Sequence, residues 1–373
     1  MRLTTAELLK NYFFNHENEQ AFKECWEDVF EPTAEKREYW EQEVVTGRIK
    51  RTLVDLFFDA FLQILVQNKE RGVTTEDKLF YSRTSNLFQS YKDFIARYCD
   101  GSKDEVLGAM KPTPRCSSPR SDPTCCDRNV SSAPSAERMN VLIFGLKNST
   151  LIPYVLYVRK NVESSDEQAK IFATLESYIV RRMLVRATTK NYNRLFTSLI
   201  LNEAKDAAAL RTALAADAEA TTYMPSDPEV RAAFGESCLY NLQSKGVLYL
   251  LESAIRPSMS STALLGFNQY TLEHMMPKKW RNKWGALMTR LLREGTGSSS
   301  RSATSPSSLI RSTPPSAMPS GSSRSKGKDI RTVWRSARRP RHHGCVLEKE
   351  SWGEEDIDER AEWLADKALT VWS

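Results

Sequence analysis

Glu273 and His274 stand side by side at the end of a hydrophobic run, and the basic stretch Lys278-Lys279-Trp280-Arg281-Asn282-Lys283-Trp284 follows almost at once. A neutral imidazole accepts a proton from water near pH 7, a carboxylate holds a divalent cation against a phosphate, and cationic side chains neutralise flanking phosphates. These residue types suit metal-assisted hydrolysis of a phosphodiester. His274 would be the general base, Glu273 a ligand for Mg2+ or another divalent cation, and Lys278, Lys279, Arg281 and Lys283 contacts to nucleic-acid phosphates. The same residues also suit a strand end with a satisfied histidine and an amphipathic turn that buries two tryptophans, so local spacing leaves both readings open.

The other chemistry-bearing groups are weaker. Arg181, Arg182 and Arg186 share a helix face and suit either phosphates or ion pairs with a neighbouring element, the second being the commoner use of such a cluster. Tyr192, Asn193 and Phe196 read as a helix start with core contacts. His342, His343 and Cys345 lack a second ligand pair for a transition metal. The seven cysteines form no C-x-x-C pair and are odd in number, which suits reduced thiols in the cytoplasm. No phosphate-binding glycine loop is present, so no nucleotide site is expected. The formal charge of +6 is also local: between Gly295 and Leu347, ten Arg or Lys residues face a single acid, Asp329, and the rest of the chain is net acidic.

The elements that must carry these groups are mostly helices. Apolar residues recur at helical spacing over residues 1–107 (Leu8, Leu9, Tyr12 and Phe13; Phe22, Trp26, Val29 and Phe30; Leu53 to Leu65; Leu87 to Tyr98), with breaks at Glu31-Pro32-Thr33, Gly47, Arg71-Gly72-Val73 and Asp100-Gly101-Ser102. Four or five helices are predicted. The run Leu53 to Val66 is too short to span a membrane and carries Asp55, Asp59 and Gln63 as a polar stripe at four-residue spacing, so it reads as a core helix. Residues 108–136 form an irregular linker rich in proline and serine. Helices resume over residues 137–256: Ala136 to Gly145, Leu151 to Arg159, a long one from Ser165 to Arg186, then Tyr192 to Ala204, Asp206 to Ala220, Pro228 to Phe234 and Gly246 to Ala254. The long helix has a serine cap, Asp166 and Glu167 in its first turn, and Ile171, Leu175, Tyr178, Ile179 and Leu184 on one face. A short extended segment at Leu264 to Met275 leads into Glu273 and His274. Residues 286–345 are of low complexity and expected to be disordered, and residues 346–373 end the chain as an amphipathic helix.

The string Tyr270 to Pro277, with its paired tryptophans downstream, resembles the opening of the nuclease domain of GmrSD-type restriction endonucleases, a His-Me finger (HNH-like) domain. Leu8 to Asn15, Glu137 to Gly145 and Leu175 to Phe196 resemble the helical middle of the same proteins. The resemblance covers roughly residues 3–110 and 128–287 and returns at Val346 to Trp372. It implies a mainly α protein, a multi-helix domain followed by an incomplete ββα-metal region at residues 262–285. It also implies metal-dependent cleavage of modified DNA in anti-phage defence. The family's N-terminal ParB/sulfiredoxin-like domain, with its Asp-Gly-Gln-Gln-Arg signature, has no counterpart in this sequence and would come from a separate protein. The Gly-Asn-Leu-Thr-Leu-like strand and the Leu-Asn-Ser segment that complete the metal site are also missing between Ala286 and Cys345, so activity is expected to be impaired. Residues 108–128 and 286–345 look like out-of-frame translation of a G+C-rich gene, or else an inserted basic linker. The alternative function is a non-enzymatic helical module that binds a protein partner or DNA.

Overall fold

The computed structural model describes residues 4–14, 19–46, 49–82, 86–110, 126–216, 221–236, 239–256, 264–273, 309–312 and 354–373. Along the chain run α1 (Thr5–Phe13), α2 (Glu19–Phe22), a π-helical turn (Lys23–Glu27), α3 (Asp28–Phe30) and α4 (Ala34–Glu41). The hairpin β1 (Glu43–Thr46) and β2 (Ile49–Thr52) follows, then α5 (Leu53–Leu65), α6 (Thr75–Tyr81), α7 (Leu87–Tyr98) and α8 (Asp104–Met110). Next come α9 (Ala136–Asn140) with a π-helical continuation (Val141–Gly145), α10 (Ile152–Asn161), α11 (Ser165–Leu184), α12 (Tyr192–Leu201) and α13 (Ala207–Ala216). The last elements are α14 (Asp227–Glu236), α15 (Asn241–Ile255), β3 (Tyr270–Glu273), β4 (Leu309–Ser312) and α16 (Glu354–Val371). The chain is mainly helical. Among the described residues no helix is long and apolar enough to cross a membrane.

Contacts sort the chain into two compact units that interleave in sequence. One takes residues 1–123, 147–171 and 189–222; the other takes 124–146, 172–188 and 223–373. Residues 1–107 fall wholly within the first unit, whereas the block 137–256 supplies helices to both.

In the first unit α5 is the central element. Thr52 starts it with a capping box: its hydroxyl accepts the Asp55 N–H, and the Asp55 carboxylate accepts the Thr52 N–H. Phe58 then meets Phe13, Trp26, Phe30 and Tyr91, with ring centroids 5.8 to 6.2 Å apart. Burying each such ring stabilises the unit by about 1.5–3 kcal/mol, with roughly 0.5–1.5 kcal/mol more from ring geometry. The stripe of Asp55, Asp59 and Gln63 does not meet water in full: Asp59 and Gln63 are buried, because α5 is covered by α1, α4, α7, α10 and α12. The helix break expected at Gly47 is flanked by the two strands of the β1–β2 hairpin, which pair antiparallel from Glu43↔Thr52 to Thr46↔Ile49. The β-branched run Val44-Val45-Thr46 and Ile49 carry that signal in the sequence.

The α11 helix begins as expected but is covered on more than the one face, since Phe172, Thr174, Glu176, Ser177, Val180, Arg181 and Arg182 are buried as well. The Ser164 hydroxyl accepts the Glu167 N–H as its cap, and Ile171, Leu175, Tyr178, Ile179 and Leu184 are all buried. At α12, Tyr192 and Phe196 are buried with their rings 5.4 Å apart, whereas Asn193, at the edge of that face, is exposed.

Candidate functional site

The element that leads to Glu273 and His274 is seated in the second unit by aromatic packing. Tyr270, the first residue of β3, is buried, and its ring lies 5.7 Å from that of Tyr249 on α15. The two phenols share one residue: the Tyr249 hydroxyl donates to the Leu265 carbonyl at 3.0 Å, and the Leu265 N–H donates to the Tyr270 oxygen at 3.1 Å. Burial pushes the Tyr270 phenol up, which keeps it neutral at any physiological pH. Near the end of α15 the buried Glu252 lies 3.9 Å from Arg256, the residue that caps the helix.

The approach to the strand is equally confined. Phe267 is buried against Tyr249, with centroids 5.4 Å apart, and the Lys245 ammonium sits 4.0 Å above its ring. Burial lowers the Lys245 pKa. At Gly266 a Cβ atom would lie 2.2 Å from the Asp127 carbonyl carbon, so only glycine lets these two backbones meet. Asn268 ties the same place by donating to the Asp127 carboxylate at 2.9 Å. β3 pairs antiparallel with β4, with Tyr270 opposite Ser312 and Glu273 opposite Leu309. Leu309–Ser312 falls inside the segment read as low-complexity, and it is there a strand; Leu309-Ile310 is an adjacent branched apolar pair in an otherwise serine-rich run.

Glu273 closes β3, but its side chain lies outside the described residues, as do His274, Lys278, Lys279, Arg281 and Lys283. His342, His343 and Cys345 lie outside them too. Among the described residues no group of three His, Cys, Asp or Glu is placed to hold a metal ion.

A few described charged residues are buried and serve the interior. Arg138 donates through Nε and Nη2 to the two carboxylate oxygens of Glu176, both residues being buried. Its remaining N–H groups go to the carbonyls of Ser131 and Leu250 and to the Ser253 hydroxyl. All five guanidinium donors are thereby occupied. A second acceptor site on Glu176 Oε1 takes the indole N–H of Trp372 at 2.9 Å. The network ties α9, α11, α15 and the C-terminal Trp372 together in the interior.

Arg181 and Arg182 are likewise buried. Arg181 pairs with Asp227 at 2.7 Å and donates to the carbonyls of Trp372 and Pro225; Arg182 donates to the carbonyls of Tyr223 and Thr188. Of the two uses open to them in the sequence, the structural one holds. Arg186 lies beyond the end of α11, with a positive φ of 56°. The sequence reading missed Arg138, Glu176 and Ser253 as a cluster. Their only local signal is an ionisable residue inside an otherwise apolar helical face.

Neither a comparison with protein-family models nor one with curated proteins finds a match to this chain.

Proposed function

We propose that this chain is a degenerate relative of the GmrSD-type restriction endonucleases, and that its reaction is metal-dependent hydrolysis of DNA phosphodiesters at a reduced rate. The observation that carries the reading is the seating of β3. Tyr270 anchors the strand in the core, the antiparallel β3–β4 pair extends it, and Glu273 is its last residue with His274 next in sequence. A strand rooted in this way suits a base that must be held within a fraction of an ångström of an attacking water.

In this reading His274 removes the proton from water and Glu273 contributes a carboxylate to a divalent cation. Lys278, Lys279, Arg281 and Lys283 bind the flanking phosphates of the DNA. One carboxylate completed by water and phosphate oxygens is a donor set that suits Mg2+, which when bound would polarise the scissile phosphate. The residues matched to the family's helical middle agree with a supporting role, since Arg138, Glu176, Arg181 and Arg182 are all used inside the fold.

The test is nicking of supercoiled plasmid carrying phage-type modified bases by the purified chain. Weak cleavage is expected with Mg2+, none with a chelator, and a loss of about 10²-fold or more in His274→Ala. Cleavage that persists in His274→Ala, or none under any condition, removes the nuclease reading and leaves the non-enzymatic helical module.

A further inference from the structure

Two buried oxygens on α5, one helical turn apart, accept no hydrogen bond among the described residues: Asp59 Oδ1 and Gln63 Oε1. The orientation of the Gln63 amide is fixed from its other side. Its Nε2 donates at 2.8 Å to the carbonyl of Tyr81, which can only accept, so Oε1 must point away from Tyr81. Residues at i and i+4 of a helix share a face, and Asp and Gln side chains at that spacing reach each other. A carboxylate and an amide oxygen brought together repel, whereas one proton on Asp59 makes its carboxyl a donor and satisfies both oxygens.

The groups packed around α5 are engaged elsewhere. Tyr91 of α7 lies near Asp59, but its hydroxyl donates to the Phe58 carbonyl at 2.8 Å. Asp55, one turn earlier, belongs to the capping box of Thr52, and the Tyr81 hydroxyl of α6 donates to Asp93. Lys10 of α1, Arg37 of α4 and Lys160 of α10 are engaged by Glu31, Glu41 and the ring of Phe61, and Tyr192 of α12 packs against Phe196. Arg51 of β2 pulls Asp59 toward its ionised form, and burial outweighs it, raising the pKa to about 7.

The end of α6 hangs on this pair. Tyr81 is the last residue of α6, where a carbonyl has no donor within its own helix, and Gln63 supplies one. Tyr81 alone among the residues of α6 is buried, Leu79 and Phe80 are exposed, and the outer side is tied to α7 by the Asp77–Arg97 pair. So short a helix with so little burial belongs to the low-stability part of a fold.

We propose that Asp59 and Gln63 share one proton, and that this proton is a pH-sensitive catch on the end of α6. Its loss to water leaves a carboxylate facing Gln63. The amide then turns Nε2 toward that charge, and the Tyr81 carbonyl loses its donor. The inference does not rest on the hydrolytic reading.

The test is hydrogen exchange of the full chain at pH 6 and pH 8, read as protection of residues 78–82 relative to α7. In the unaltered chain that protection is expected to fall by about 3–10-fold at pH 8, the worth of one hydrogen bond. Asp59→Asn, whose amide donates to Gln63 at either pH, is expected to keep it high and level, and Gln63→Met to make it low and level. Infrared difference spectra are expected to show a protonated-carboxyl band at pH 6 that is absent in Asp59→Asn and moves to higher frequency in Gln63→Met. Equal protection at both pH values in the unaltered chain, a pH step that survives in Asp59→Asn, or a carboxyl band unmoved in Gln63→Met overturns the proposal.

Discussion

In the second unit the guanidinium of Arg138 and the carboxylate of Glu176 lie in the interior as a bidentate pair. In the first unit the carboxyl of Asp59 lies in an interior just as dry, and its Oδ1 has no hydrogen-bond partner among the described residues. Burying an unpaired charge is strongly unfavourable, so each group is either paired or has its ionisation displaced to higher pH. The second unit solves this by pairing, with main-chain carbonyls filling the remaining donors. The first solves it by keeping the proton: burial pushes the Asp59 pKa up to about 7, against a small opposing pull from Arg51. Pairing makes stability depend on an intact partner, whereas protonation makes it depend on pH.

The largest effect expected from this contrast follows removal of one partner of the pair. Arg138→Ala strands Glu176 in an apolar interior and is expected to cost about 3–5 kcal/mol, while replacing both Arg138 and Glu176 by leucine-sized apolar residues is expected to cost much less. Urea unfolding followed by circular dichroism, with hydrogen exchange over residues 172–188, measures both. Equal losses in the single and double variants would break the contrast.

Asp59 calls for the opposite experiment. Its folded pKa of about 7 lies above the ordinary 3.8, so the native state binds the proton more tightly than the unfolded chain. Its favourable protonated form is fully present in both states below about pH 4. Stability of the first unit then falls as pH rises toward 7, by at most about 4 kcal/mol, and is level above that. Asp59→Asn is expected to flatten this slope, gaining up to ~2–4 kcal/mol at pH 8 and almost nothing at pH 4. A slope unchanged in the variant would show that Asp59 is not the titrating group.

Gly266→Ala tests the seat of β3 at smaller scale. The added methyl meets the backbone of Asp127, which cannot swing aside as a side chain would, and a loss of about 1–3 kcal/mol is expected in thermal unfolding. If the fold tolerates the methyl without loss, the close approach that aims β3 is not needed.

Helix positions were largely legible because their signals are local. The apolar positions of α11, the serine before it and the apolar stripe of α16 are local signals that periodicity and capping place. The β1–β2 hairpin escaped because two four-residue strands flanked by helices give too short a pattern to outweigh a glycine read as a helix stop. At the candidate site, the sequence singled out Glu273 and His274 by type and adjacency. What it could not show is that Tyr270 is pinned through Leu265 to Tyr249, or that Gly266 faces Asp127, since those partners lie far away in the chain.

The amino-acid sequence by itself determined that this is a mainly helical chain and where its strongly periodic helices run, because the 3.6-residue period is a local signal; the short helices α4, α6 and α8 lay below it. Only the tertiary structure decided that Arg181 and Arg182 are buried, that Arg138, Glu176 and Trp372 form one network, and that Asp59 is enclosed. A charged side chain has the same composition on a solvated face or in a core. Which it becomes depends on whether another element supplies its counter-charge, its hydrogen bonds or its cover, and that is a property of packing.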